Sequence, residues 1–175
     1  SKKAVAALAG KAKAVSELQF ELASHAWRAF TSPEPTALVN LASHDTSALP
    51  HLKPALMRLL AEFPDPVRGL SLTEERMLRR LEQGPAKTHE LFRDVVEQED
   101  ASFMGDASFF RRVDGLAFVK APLLSGVTEP FRVDARDLRA GDEPVARSAD
   151  FAESTLTLTP AGRDVLQGKL DHAMA

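Results

Sequence analysis

The chain has 175 residues, 44% of them hydrophobic and 27% charged, ordinary proportions for a globular protein that disfavour collagen-like and disordered classes. No apolar run reaches the ~18 residues that a membrane-spanning helix needs, so no membrane partner is expected. Cysteine is absent, which excludes a disulfide framework, a thiolate metal site and a cysteine nucleophile, and fits a reducing cytoplasm. The net charge of −3 carries no positive excess that would advertise a nucleic-acid partner. The first residue is Ser1, with no signal-peptide pattern behind it, so a piece of a longer protein is expected.

Residues 1–30 read as one long helix, because nine of them are alanine and none is proline. Leu8, Val15, Leu18 and Leu22 mark an apolar stripe, while Phe20, Trp27 and Phe30 widen the apolar arc in the second half. Thr31-Ser32-Pro33 is a stop and restart signal, with Ser32 as a cap and Pro33 at the first helical position. Two further helices follow, over about 33–43 and 48–62, burying Leu38, Val39 and Leu41 and then Leu52, Leu56, Leu59, Leu60 and Phe63. Pro64-Asp65-Pro66 is the strongest break, and a domain boundary is placed there: a helical segment over 1–64 and a second domain over 67–175.

The second half has a different rhythm. Leu72 and Met77 have staple spacing around Thr73, and Ser71 with Glu74 has capping-box spacing, so either residue can cap a helix over 73–82. Gly84-Pro85 ends it. A helix from Thr88 buries Leu91, Phe92, Val95 and Val96, and one from Asp106 buries Phe109, Val113 and Leu116. Leu123 and Leu124 open a strand, residues 154–159 alternate as a half-buried strand should, and Thr159-Pro160 caps a last helix with Val165, Leu166 and Leu170. The fold expected is mainly α (α+β): an N-terminal helical segment followed by a winged helix-turn-helix with a small β-wing. The loop over about 128–153 is long for a compact domain, and Phe131, Val133 and Leu138 suggest that it folds back.

Enzyme chemistry finds little support. There is no Gly-x-Ser-x-Gly elbow, no phosphate-binding loop, no dinucleotide fingerprint and no His-Glu-x-x-His pair, so neither a catalytic residue nor a cofactor is expected. His44, Asp45 and His51 are the nearest thing to a ligand cluster, and a polar turn between helices explains them better. Glu97, Glu99 and Asp100 lack calcium-loop spacing and read as a solvated helix end. Phe103, Phe109, Phe110 and Phe118 read mostly as core; Phe103-Met104 is the pair expected to pack on a neighbouring element.

Charge by segment tests DNA binding. Residues 1–60 carry seven basic and four acidic groups, whereas 73–120 carry eight and ten, and 121–153 four and seven. The part with DNA-reader topology is therefore acidic, against the phosphate neutralisation that drives non-specific binding. The best candidates for DNA contact are Ser108, Arg111 and Arg112 on the expected recognition helix, with Arg132 and Arg136, and beyond them Arg139 and Arg147, on the wing. Surface ion pairs with Asp106, Asp114, Asp134, Asp137, Asp142 and Glu143 are the competing explanation.

Several strings occur together: Ala26-Trp27-Arg28-Ala29-Phe30, Pro33-Glu34-Pro35, Thr46-Ser47-Ala48-Leu49-Pro50, Leu59-Leu60-Ala61-Glu62-Phe63-Pro64, Gly69-Leu70-Ser71-Leu72-Thr73-Glu74, Phe103-Met104-Gly105-Asp106 and the closing Leu156-Thr157-Leu158-Thr159-Pro160-Ala161-Gly162-Arg163. Over roughly 15–170 the chain resembles the C-terminal part of the uncharacterised bacterial family named for domain of unknown function 1835. The resemblance implies a preceding N-terminal domain, whose acidic and histidine-bearing motif is not found here, and it brings no activity. The function expected is a non-catalytic winged-helix regulatory or scaffolding module, with double-stranded DNA as a candidate partner although surface ion pairs explain the arginines better. The alternatives are an accessory domain of a larger enzyme, packed on its own N-terminal domain, and a homodimer formed through the first helix.

Overall fold

Ser16 decides where the first helix begins. Its hydroxyl accepts a hydrogen bond from the Gln19 N–H (3.2 Å), and the Gln19 amide oxygen accepts one from the Ser16 N–H (3.0 Å). This reciprocal capping box satisfies two of the orphan donors of a helix start. The structure, a computed structural model, describes residues 12–131 and 147–172. Helix α1 spans Glu17–Phe30. The long helix expected from Ser1 is therefore corrected: residues 12–16 are not helical, and residues 1–11 lie outside the described residues. Alanine propensity is a weak preference of a few tenths of a kcal/mol per residue, and the Ser16–Gln19 cap outcompetes it locally.

The chain divides into two compact units, Ser1–Ala61 and Glu62–Ala175. In the first, α1 is followed by α2 (Thr36–Ser43) and α3 (Leu52–Leu60). Both begin later than the expected 33 and 48. The Ser32 hydroxyl accepts from the Glu34 N–H (3.1 Å), a local turn that delays α2, and the 46–51 segment makes turns before α3. The apolar centre of this unit is small: Ala29, Leu38, Ala42 and Leu56, with Ala37, Leu41, Leu52, Leu59 and Leu60 against it. Gln19 also ties α1 to the turn, donating from Nε2 to the Ala48 carbonyl (3.1 Å).

The second unit holds α4 (Leu72–Glu82), β1 (Ala86–Lys87), α5 (Thr88–Val96), α6 (Asp106–Ala117), β2 (Leu124–Ser125), α7 (Arg147–Glu153), β3 (Thr155–Leu158) and α8 (Pro160–Leu166). The cap of α4 is Ser71, not Thr73: its hydroxyl accepts from the Glu74 N–H (3.2 Å), and the Glu74 carboxylate accepts from the Ser71 N–H (2.8 Å). Thr73 is instead buried and donates its hydroxyl to Glu62 (2.6 Å).

The sheet is antiparallel in the order β1-β3-β2, with Ala86 opposite Leu156 and Leu124 opposite Leu158. In the central strand Leu156 and Leu158 are buried while Thr155 and Thr157 are not, the alternation that the sequence carries. Met77, Leu78, Leu81, Leu91, Val95, Phe109, Val113, Leu116 and Leu123 complete the core beneath it. Helix α8 comes so close that a Cβ at Gly162 would run into the Leu123 carbonyl oxygen, so only glycine allows this approach. The fold is mainly helical with a small three-stranded sheet. Among the described residues, no helix is long and apolar enough to cross a membrane.

Candidate nucleic-acid interface

Helix α6 buries Phe109, Phe110, Val113 and Leu116, spaced as one face of a 3.6-residue helix. Phe109 meets Phe92 of α5 edge-on at 5.2 Å. The opposite face therefore points to solvent and carries Ser108, Arg111, Gly115 and Phe118. Gly105 caps the helix, and Asp106 turns its carboxylate back on the Ala107 N–H (2.7 Å).

The two charged residues that flank Arg111 in the sequence count are not on this face. The Arg112 guanidinium lies 2.5 Å from the Glu62 carboxylate, 3.7 Å from Glu74 and 3.4 Å from the Ser71 hydroxyl. It thus sits at the N-terminus of α4 rather than beside Arg111. Asp114 turns to the other side, where both carboxylate oxygens accept from the Phe131 N–H (2.9 and 2.7 Å). Burial pushes the Asp114 carboxyl above its ordinary value, and the Phe131 hydrogen bond only partly offsets this.

Ion pairing consumes most of the other cations between 73 and 120. Arg79 pairs with Glu75 (2.7 Å), Arg80 with Asp94 (2.7 Å), Lys87 with Glu153 (2.6 Å), Arg93 with Asp94 (3.1 Å) and Arg76 with Glu99. Among the described residues, Arg111 and Lys120 make no ion pair. The acidic cluster at 97–100 is accordingly not a uniform solvated end, since Glu99 belongs to the Arg76 pair.

The edge of the sheet next to α6 is polar. Ser125 and Thr157 face each other across β2 and β3 with their hydroxyls 2.9 Å apart. Phe131 folds back as expected and meets Phe110 and Phe151, each at 5.2 Å between ring centroids. Phe110 and Phe151 lie 5.3 Å apart. Arg132, Arg136 and Arg139, with Val133 and Leu138, lie outside the described residues, as does the Arg147 side chain. Met104 packs on the core, and Phe103 is 53% exposed.

The other sequence candidates are turn chemistry. His44 Nδ1 is 2.6 Å from the Asn40 carbonyl, and Asp45 accepts from the Ser47 N–H (2.8 Å). The Ser47 backbone and then its side chain hold the Asp45 carboxyl below its ordinary value. His44, Asp45 and Ser47 line an open cavity of about 580 Å³ with Pro50, Pro54 and Met57. Among the described residues, no three His, Cys, Asp or Glu side chains converge to hold a metal ion.

The Arg112–Glu62 and Asp114–Phe131 contacts escape sequence reading because their partners lie 50 and 17 positions away. No capping or periodic pattern connects residues at those separations. Comparison with known proteins finds no matching family model, no matching curated protein and no matching solved structure.

Proposed function

We propose that the chain is a non-catalytic regulatory or scaffolding protein, and that its second unit is a winged helix that meets double-stranded DNA with the exposed face of α6. What supports the fold reading is the order helix, strand, helix, helix, strand, helix, strand over α4-β1-α5-α6-β2-α7-β3, with α7 an addition within the β2–β3 connection, together with the sheet order β1-β3-β2. In this arrangement α6 is the recognition helix and the connection between β2 and β3 is the wing.

The observation that carries the DNA reading is the asymmetry of α6. Its segment is acidic by count, yet Asp114 and Arg112 are both engaged away from the face that carries Ser108, Arg111 and Gly115. Arg111 is left as an exposed guanidinium, suited to a phosphate or to the paired acceptors of guanine. Gly115 removes side-chain bulk one turn further on, and Lys120 adds a second cation beyond the helix end.

Arg111 and Lys120 are the cations between 73 and 120 that make no ion pair among the described residues, so this face supplies little electrostatic affinity. Two phosphate contacts from it give a slope of log affinity on log salt of about −1.8, far shallower than that of strongly basic DNA readers. Anisotropy titration of the full chain against a labelled random-sequence duplex at low salt tests the proposal. The expected result is weak binding with that shallow slope, reduced roughly tenfold by Arg111→Ala. No binding at low salt, or equal binding by Arg111→Ala, overturns it.

A further inference from the structure

Helix α1 keeps one face of its own for something else. Leu22 and Ala29 are its buried residues, and they lie on the side toward α2. On the far side Phe20, Ala23, Trp27 and Phe30 follow one another at three- and four-residue steps, which places them in a single stripe along the helix. Phe20 is 70% exposed, Trp27 66% and Phe30 57%, and the rings of Trp27 and Phe30 lie 6.0 Å apart. Three large aromatics in one stripe form a contiguous patch, unlike apolar residues scattered singly over a surface.

The charges beside the stripe identify what covers it. Glu17, Glu21 and Arg28 run along one flank, the acids at the start of the helix and the base near its end. Among the described residues none of the three has an ion-pair partner, and Arg28 only donates to the Ser24 carbonyl (3.3 Å). A second α1 laid antiparallel across the stripe, with its two-fold axis between residues 23 and 24, sets Phe20 of one copy against Trp27 of the other. The same operation brings Arg28 of the second copy between Glu17 and Glu21 of the first, and it does so twice. A parallel two-fold pairing would instead carry this flank to opposite sides of the seam in the two copies and leave Glu17, Glu21 and Arg28 without these partners. Ala23 lies at the centre of the stripe, where its small side chain lets the two helices approach.

We infer that this chain forms an antiparallel homodimer through the Phe20–Trp27–Phe30 face of α1. An isologous contact of this kind is self-complementary by symmetry. An aromatic side chain offers ~150–250 Å². Burying the exposed parts of three in each copy removes on the order of 800 Å², and the flanking residues bring the total towards the ~1,200 Å² of the smallest specific interfaces. A dissociation constant in the micromolar range is expected. The inference does not depend on the DNA reading, since it uses only residues of the first unit.

Light scattering and sedimentation of the full chain across a wide concentration range test it. The mass should climb from 19.0 kDa towards twice that value, with the emission of Trp27, the single tryptophan, shifting to the blue in step. Phe20→Glu, at an exposed position, should keep the same thermal melt and hold the chain monomeric. Arg28→Glu should weaken association roughly tenfold, and adding Glu17→Lys and Glu21→Lys should restore it. A chain that stays at 19.0 kDa throughout overturns the inference, as does a dimer indifferent to Phe20→Glu. So does a charge-swapped triple variant that fails to recover.

Discussion

The Arg112 guanidinium stands 2.5 Å from the carboxylate of Glu62, a residue fifty positions earlier, and joins α6 to the approach of α4. The Glu62 side chain is 9% exposed and also accepts from the Thr73 hydroxyl, so removing Arg112 takes a charged partner away from a largely buried carboxylate. Arg112→Ala should cost about 2–3 kcal/mol in urea unfolding, while Arg111→Ala, at an exposed position, should change stability by less than about 0.5 kcal/mol. Replacing both partners with apolar residues, Arg112→Met with Glu62→Leu, should recover most of the loss. Equal costs for the two single arginine variants would contradict this placement.

Asp114 should make its presence felt through pH. Its folded carboxyl titrates above the unfolded one, because burial disfavours the charge. The folded state therefore holds the proton more tightly, and this group's contribution falls as pH rises from the ordinary carboxylate value through the raised one. Asp114→Asn still offers an oxygen to the Phe131 N–H and cannot ionise. Relative to the parent protein, that variant should gain stability as pH rises across this window, measured by urea unfolding at a series of pH values. A difference that stays constant with pH would be inconsistent with the half-buried, hydrogen-bonded carboxylate.

Glu75 and Asp94 act in the opposite sense. The hydrogen bonds from Arg68, backed by Arg79, hold the Glu75 carboxyl below its ordinary value, and those from Arg80 and Arg93 do the same for Asp94. Their stabilisation is complete above the unfolded carboxylate value and is lost as pH falls through the depressed ones. Arg68 grips Glu75 with two parallel bonds of 2.8 Å. Glu75→Gln should cost on the order of 1 kcal/mol at neutral pH and flatten the acid limb of the stability profile. An acid limb identical to that of the parent would refute this assignment.

Gly162 gives a purely steric prediction. A Cβ there meets the Leu123 carbonyl and lies 2.6 Å from Leu158 Cδ1. Backbone cannot yield as a flexible side chain does, so Gly162→Ala should destabilise by about 2 kcal/mol or more despite the better helix propensity of alanine. At Gly115, where a Cβ meets nothing within 4 Å, the same change should be neutral or stabilising. Thermal melts of the two variants provide the comparison.

Capping chemistry makes much of the second unit legible in the sequence, because a cap is written within four residues. Ser71 with Glu74 and Thr159 with Gly162 form within that distance. Strand β3 is equally legible, since its alternation of Thr and Leu is local. Strand β1 is not: two residues, Ala86 and Lys87, cannot display a period, and they form a strand only because Leu156 and Thr155 pair with them. Alanine content does not mark the start of α1; the Ser16–Gln19 box does. For the candidate DNA face, a charge count treats Arg111, Arg112 and Asp114 alike as surface groups. Their separation into one exposed cation and two engaged side chains is tertiary, and Glu62 and Phe131 carry no local signal of it.

Phe110 belongs to α6 and Phe151 to α7, so the ring of Phe131, 5.2 Å from each, is a wedge between two helices. The same residue is gripped at its backbone, where both Asp114 oxygens accept from its N–H. One position is thus pinned by two unlike forces, and trimming its ring acts on a carboxylate that the ring does not need to touch.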